Sequence, residues 1–289
     1  MAIAISEPVA EIFSTANSSQ TTAAFTPADN SLLVVFAWKS GTSVTPVASG
    51  GGLTWTLRGT QSWTDESPAA GRASIYTAPV VTGASMQITV SSAGNEGSGA
   101  FIAVFQVTGH KVSDPVKQVD TGGSSGASST PTATMPASMS TDDGYMSAYV
   151  RNGGSDPGST PPASWTETAD GSTTVPDFQG SAAYRAGGES GTTITFTLPA
   201  SKTWYIQAIE INIAGTVFEQ SIAGSVTFSG AIAKQVNKNL AGTLTLAGAV
   251  ARAVSKIFRA LIFGIPDPTA NARGMPDPSA NLRSGQTRS

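Results

Sequence analysis

Short runs in which apolar residues alternate with small or polar ones fill the first three quarters of the chain, and Gly, Pro, Asn or Asp bounds each run. A period of two marks a half-buried β-strand. Phe101, Ala103, Phe105 and Val107 fall on one face of such a strand, and Ile209, Ile211 and Ile213 on one face of another. Two apolar runs, Leu32–Trp38 and Tyr145–Val150, each follow an acidic turn (Pro27-Ala-Asp-Asn30 and Thr141-Asp-Asp-Gly144) and also read as strands.

The pattern comes twice. Ser6-Glu7-Pro8-Val9 returns as Ser113-Asp114-Pro115-Val116, Leu53-Thr-Trp55 as Ala163-Ser-Trp165, Tyr76-Thr-Ala78 as Tyr184-Arg-Ala186, and Ile88 as Ile194. Each half closes on a long strand ending in Gly109 or Gly215. The offsets are 107 for Ser6, 110 for Trp55, 108 for Tyr76 and 106 for Gly109, a drift that loops absorb. About seven strands in roughly 105 residues predict a mainly β fold built as a duplicated β-sandwich, Ig-like or jelly-roll in layout. Residues 1–110 form the first half and 111–215 the second. Two packed sandwiches and one larger pseudo-symmetric sandwich both satisfy the pattern.

The period changes after residue 216. Gly224–Leu240 and Gly242–Phe258 are successive copies of an 18-residue unit, with a third start at Ala260 that breaks off at Gly264. Val226 and Phe228, then Leu244 and Leu246, alternate like a strand. Ile232, Val236 and Leu240, then Val250, Val254 and Phe258, recur every four residues, as one stripe of a helix does. Such a unit buries its stripe only against neighbours, and about three units are needed for stability. Within the repeat segment 216–264, the partner is another copy, the rest of the chain or a larger particle, and residues 224–264 are expected to contact other chains through Ile232, Val236, Val250, Val254 and Phe258. Lys234/Lys238 and Arg252/Lys256 are like charges four apart, each pair costing about 0.2–0.5 kcal/mol on an isolated helix. They read either as a solvated face or as a contact for an acidic surface.

Residues 265–289 form an extended C-terminal arm. Gly264-Ile-Pro-Asp-Pro-Thr-Ala-Asn-Ala-Arg273 is followed directly by Gly274-Met-Pro-Asp-Pro-Ser-Ala-Asn-Leu-Arg283. Asp267 and Asp277 can each cap a single helical turn with Pro at its first position. Arg273 and Arg283 end the copies with a charge. A tandem decapeptide suits two equivalent attachment sites, and a disordered low-complexity tail is the alternative reading.

Charged residues are only 12 % of the chain, against about 25 % in a typical domain. Net charge is −3, divided as +5 over residues 216–289 and −8 over residues 1–215. Cysteine is absent, which removes disulfides and thiolate metal sites. The N-terminus has neither the basic n-region nor the apolar h-region of a secretory signal, and no apolar run is long enough to span a bilayer. These features predict a soluble protein made in a cytoplasm. No membrane partner is expected, and no nucleic acid either, because the basic tail lacks interleaved aromatics.

The candidate chemistry is thin, and the chain reads as a non-enzyme without cofactor or metal. His110 is the only histidine and lies at the junction of the halves. The carboxylate pairs Asp65/Glu66, Asp142/Asp143 and Glu167/Asp170 would suit a glycosidase, but their contexts read as turns. Asp142/Asp143 as a weak calcium site meets the same objection. Gly50–Gly52 and Gly153-Gly154 match no phosphate-binding loop. Trp55 and Trp165 hold equivalent positions and read as core. Trp63, in the polar stretch Gln61-Ser-Trp-Thr-Asp65 without a second-half counterpart, is the candidate exposed contact for a glycan.

The Leu-Leu-Val-Val-Phe run, Gly-Gly-Leu-Thr-Trp-Thr, Tyr-Thr-Ala and the closing Phe-Ile-Ala-Val-Phe resemble β-sandwich domains of tailed-phage and prophage proteins. Gly-Thr-Leu-Thr-Leu-Ala-Gly-Ala-Val-Ala-Arg resembles repeats of phage structural proteins. The resemblance covers residues 1–264 and implies a virion component without catalytic residues. A capsid decoration (cement) protein or capsid-bound fibre is the leading expectation, because the compact domains come first and an arm comes last. A tail fibre or spike, or a host-adhesion carbohydrate-binding module, is the alternative. Expected partners are capsid or tail proteins, copies of the chain itself (a trimer among the options) and a host surface glycan.

Overall fold

The computed structural model describes residues 2–15, 19–41, 44–63, 70–91, 99–123, 127–152, 158–174 and 177–215. The chain divides into two units, Met1–Phe218 and Glu219–Ser289. The second carries the repeats and the arm. Its sequence-predicted attachment residues, Ile232, Val236, Val250, Arg252, Val254, Lys256, Phe258, Asp267, Arg273, Asp277 and Arg283, lie outside the described residues, as do Asp65 and Glu66.

The described residues form strands and no helix, so the fold is mainly β. In chain order the strands are β1 (Ala4–Ser6), β2 (Ile12–Ser14), β3 (Gln20–Thr21), β4 (Ser31–Ser40), β5 (Val47–Gly50), β6 (Thr56–Trp63), β7 (Gly71–Val80), β8 (Ile88–Ser91), β9 (Ala100–Thr108), β10 (Val116–Gly123), β11 (Thr132–Thr134), β12 (Gly144–Asn152), β13 (Thr166–Thr174), β14 (Asp177–Ala186), β15 (Thr193–Thr195) and β16 (Trp204–Ile211). They assemble into two large antiparallel sheets and two small ones. The first large sheet runs β1-β9-β4-β7-β6, with β2 also on β9, and the second runs β10-β16-β12-β14-β13. The small sheets are β3-β8-β5 and β11-β15.

Alternation along the strands sorts side chains into three cores. Leu32, Val34, Phe36 and Trp38 of β4 and Phe101, Ala103, Phe105 and Val107 of β9 form one cluster with Met146, Ala148 and Val150 of β12 and Ile209 and Ile211 of β16. The two large sheets thus share one apolar layer. On the opposite face of the first sheet, Leu33, Val35 and Ala37 meet Ala48, Ile88 and Val90 of the small three-stranded sheet. On the opposite face of the second, Tyr145 and Tyr149 meet Ala133, Ile194 and Phe196. β4 is covered on both faces, and all ten of its residues are buried. Its unbroken apolar run is what a doubly covered strand requires.

The halves share local detail. Strand β6 carries a bulge between Leu57 and Gly59, and β13 carries one between Glu167 and Ala169, each shortly after Trp55 or Trp165. One expected correspondence slips by a residue. Tyr76 packs in the outer cluster of the first sheet, whereas Tyr184 turns inward and meets Phe105 edge-on at 5.9 Å. The residue opposite Glu167, as Tyr76 is opposite Leu57, is Ala183. A one-residue step changes the face.

Glycines make room where rings cross. Trp63 lies over Gly71, its cross-strand partner, and Phe13 lies over Gly171. Gly180 on β14 would place a Cβ 2.9 Å from the Phe101 ring and 2.9 Å from the Tyr149 carbonyl oxygen. The backbone oxygen cannot swing aside as a flexible side chain would. Gly180→Ala is therefore expected to lower unfolding free energy by about 1–3 kcal/mol through overpacking, read from urea denaturation midpoints.

Candidate functional site

On β12, Tyr145, Tyr149 and Arg151 take the positions that face away from the layer between the large sheets, and Gln179 of β14 stands opposite Arg151 in register. These two long polar side chains are nearly sealed, Arg151 at 2 % and Gln179 at 5 % exposure. With Tyr149, Asp170, Ser172 and the glycines 158, 171 and 180, they line a pocket of about 190 Å³.

Beside the pocket two carboxyls meet. Ser159 Oγ lies 3.1 Å from Glu167 Oε1 and 3.2 Å from Asp170 Oδ1, and Ser181 Oγ donates to Glu167 Oε1 at 2.7 Å. The single Ser159 hydroxyl proton is shared between these two acceptors. Burial raises the Glu167 carboxyl above its usual value, opposed by the Ser181 bond and helped by the Asp170 charge. Burial likewise raises the Tyr149 phenol. Glu167 is thus held by two serine hydroxyls, with Asp170 beside it at the exposed edge of β13.

A second polar cluster has its groups committed to the fold. Lys117 Nζ is 3.0 Å from both Asp143 and Glu210. Glu210, fully buried, also accepts from Gln118 and from the Ser140 N–H at 2.9 Å, and Asp143 accepts from the Ile213 N–H at 2.9 Å. Asp143, read in sequence as part of an acidic turn, is thus a buried strut between β10, β12 and the chain end after β16.

A third cluster lies between the halves. Thr168 Oγ1, at the bulge of β13, donates to Glu11, which also has Glu7 close by. Burial raises the Glu11 carboxyl to about 7; the Thr168 bond opposes the shift and the Glu7 charge adds to it.

Several sequence-derived assignments change. Trp63 is not an exposed contact: it ends strand β6 at 5 % exposure, stacks on Tyr205 at 5.0 Å between ring centroids and leans on Trp38 at 5.9 Å. Ser62 beside it takes the opposite, exposed face, whereas Gln61 shares the face of Trp63 and donates to the Gly122 carbonyl of β10. Glu167 and Asp170 lie within β13, not in turns, and only their pairing across the bulge brings them together. Trp165 is buried core and Trp55 packs half-buried against the outer cluster of the first sheet. His110 is buried where it bridges Ile213, and that burial lowers its pKa. Sequence reasoning passed over Tyr149, Arg151 and Gln179. The signal was there for the first two, a tyrosine and an arginine at alternate positions of one strand.

Among the described residues no group of three or more His, Asp or Glu side chains could hold a metal ion, and no helix is long and apolar enough to cross a membrane. No protein-family model matches the chain, and neither a curated protein nor a solved structure matches it.

Two outcomes are expected. Trp63→Ala should cost about 3–5 kcal/mol in urea unfolding, as removal of a buried indole does, where an exposed contact residue would change stability by less than about 0.5 kcal/mol. The second concerns pH. The folded chain holds the Glu11 proton more tightly than the unfolded chain, so this group lowers stability as pH rises from the ordinary 4.5 to about 7 and keeps it lowered above that. His110, with its pKa lowered, acts in the opposite sense as pH falls below 6.5. Glu11→Gln should shrink the drop in urea midpoint between pH 5 and pH 8 relative to the parent chain; an unchanged drop would show that Glu11 titrates normally.

Proposed function

We propose that this chain is a non-enzymatic structural component of a tailed-phage particle, a capsid decoration protein or capsid-bound fibre. In this reading the two large sheets with their small covers are two copies of one β-sandwich unit, displayed outward. The same strand order and the same bulge position in both halves support the duplication. The single observation that carries the functional reading is the division of the chain at Phe218. On one side stands a doubly covered β unit in a segment of net charge −8, and on the other an 18-residue repeat and tandem decapeptide in a segment of +5. A unit whose polar clusters are tied into its own fold suits display, and a basic repetitive remainder suits attachment to an acidic lattice and to copies of itself.

Attachment through the second unit has a direct test. A chain ending at Gly215 should keep the thermal unfolding of the β unit, yet fail to co-sediment with particles released from the source strain. Antibody-labelled electron microscopy should place the full-length chain on the particle. A truncated chain that binds as well as the full chain overturns attachment through residues 216–289, and particles without label overturn the virion assignment.

A further inference from the structure

We infer that the layer between the two large sheets holds an internal water site, about one or two molecules that bridge Gln207 of β16 to Gln61 of β6 and Trp38 of β4. Alternation puts Gln207 in that layer, between Tyr205 and Ile209 on the inward face of its strand. Gln207 is 0 % exposed and Trp38 is 1 % exposed. Trp38 Nε1, Gln61 Oε1 and both ends of the Gln207 amide are sealed from solvent and make no hydrogen bond among the described residues. A buried polar atom left unpaired bears its full desolvation cost, and a set of them in one layer calls for a shared partner.

Register brings these atoms to one corner. Gln61 and Trp38 both stand opposite Ala73 of β7 and so flank it in one cross-strand row. On one side of Gln61, a Cβ added at Gly59 would meet Thr121, the ladder partner of Gln207, at 3.3 Å. On the other side, Trp63 stacks on Tyr205. Gln61 thus lies over the gap between the rows of Tyr205 and Gln207, where its amide nitrogen donates to the Gly122 carbonyl. Alanines supply the room. Ala73 separates Trp38 from Gln61, and Ala148 stands beside Gln207. Sheets packed face to face lie about 10 Å apart, and a methyl group spans little of that distance.

The groups choose the ligand. Trp38 Nε1 and Gln207 Nε2 donate, whereas Gln61 Oε1 and Gln207 Oε1 accept. Water both donates and accepts, and a buried one makes about two to four such bonds. None of these groups is charged, so nothing offsets the lost hydration of an ion, and complete burial admits nothing larger than water. The site ties β4 and β6 of the first half to β16 of the second by directional bonds as well as by apolar contact. It is independent of where the chain attaches.

Two measurements on the full-length chain test it. A crystal structure that resolves ordered solvent should show water within hydrogen-bonding distance of the Gln207 amide and of Trp38 Nε1 or Gln61 Oε1. In solution, oxygen-17 magnetic relaxation dispersion counts long-lived internal waters, and Gln207→Met should lose at least one relative to the parent. Gln61→Met, at the sheet edge, gives the same readout where Gln207→Met does not fold. A corner without water overturns the proposal, as does a Gln207 amide bonded directly to Gln61 or Trp38, or an unchanged water count in the folded variants.

Discussion

The apolar layer shared by the two large sheets is the constraint from which the rest follows. Each sheet has two faces rich in Val, Ile, Phe and Ala, and neither could stand in water with both open. Facing the sheets together covers one face of each, and the small sheets β3-β8-β5 and β11-β15 cover the others. Side chains such as Phe36, Trp38, Phe101 and Phe105 contribute about 1.5–3 kcal/mol apiece by leaving water. Rings of the two sheets meet one another, as Trp63 meets Tyr205, or settle on glycine backbone, as Phe13 does at Gly171 and Phe101 at Gly180.

The same layer dictates what happens to polar groups caught within the fold. Glu210 is fully buried on β16 and is tolerable because Lys117, Gln118 and a backbone N–H converge on it. Were Lys117 lost, two acids would remain without their cation, and an uncompensated buried charge is among the costlier defects in a protein. Among the described residues no cation pairs with Glu11. Its carboxyl adapts by holding its proton, which makes the joint between β2 and β13 a place where pH reaches the fold.

Much of the β architecture was legible in the sequence. Period-two alternation assigned Phe101–Val107 and Ile209–Ile211 to one face each, and turn residues marked the strand ends, because strand geometry and backbone sterics act over a few residues. What reaches across the chain was not legible. Local polarity around Trp63 suggested exposure, but burial is decided by the sheet that arrives on top of it, here with Tyr205 more than a hundred residues away. Tyr184 was matched to Tyr76 by identity, yet the ladder pairs Ala183 in that place, since register is fixed by cross-strand hydrogen bonds. Glu167 and Asp170 looked like turn acids until a bulge aimed both at Ser159. Sequence sets the period and the propensity of each strand. Only the packing of sheet on sheet decides which side chains lose their water, and with it which polar groups are left wanting a partner.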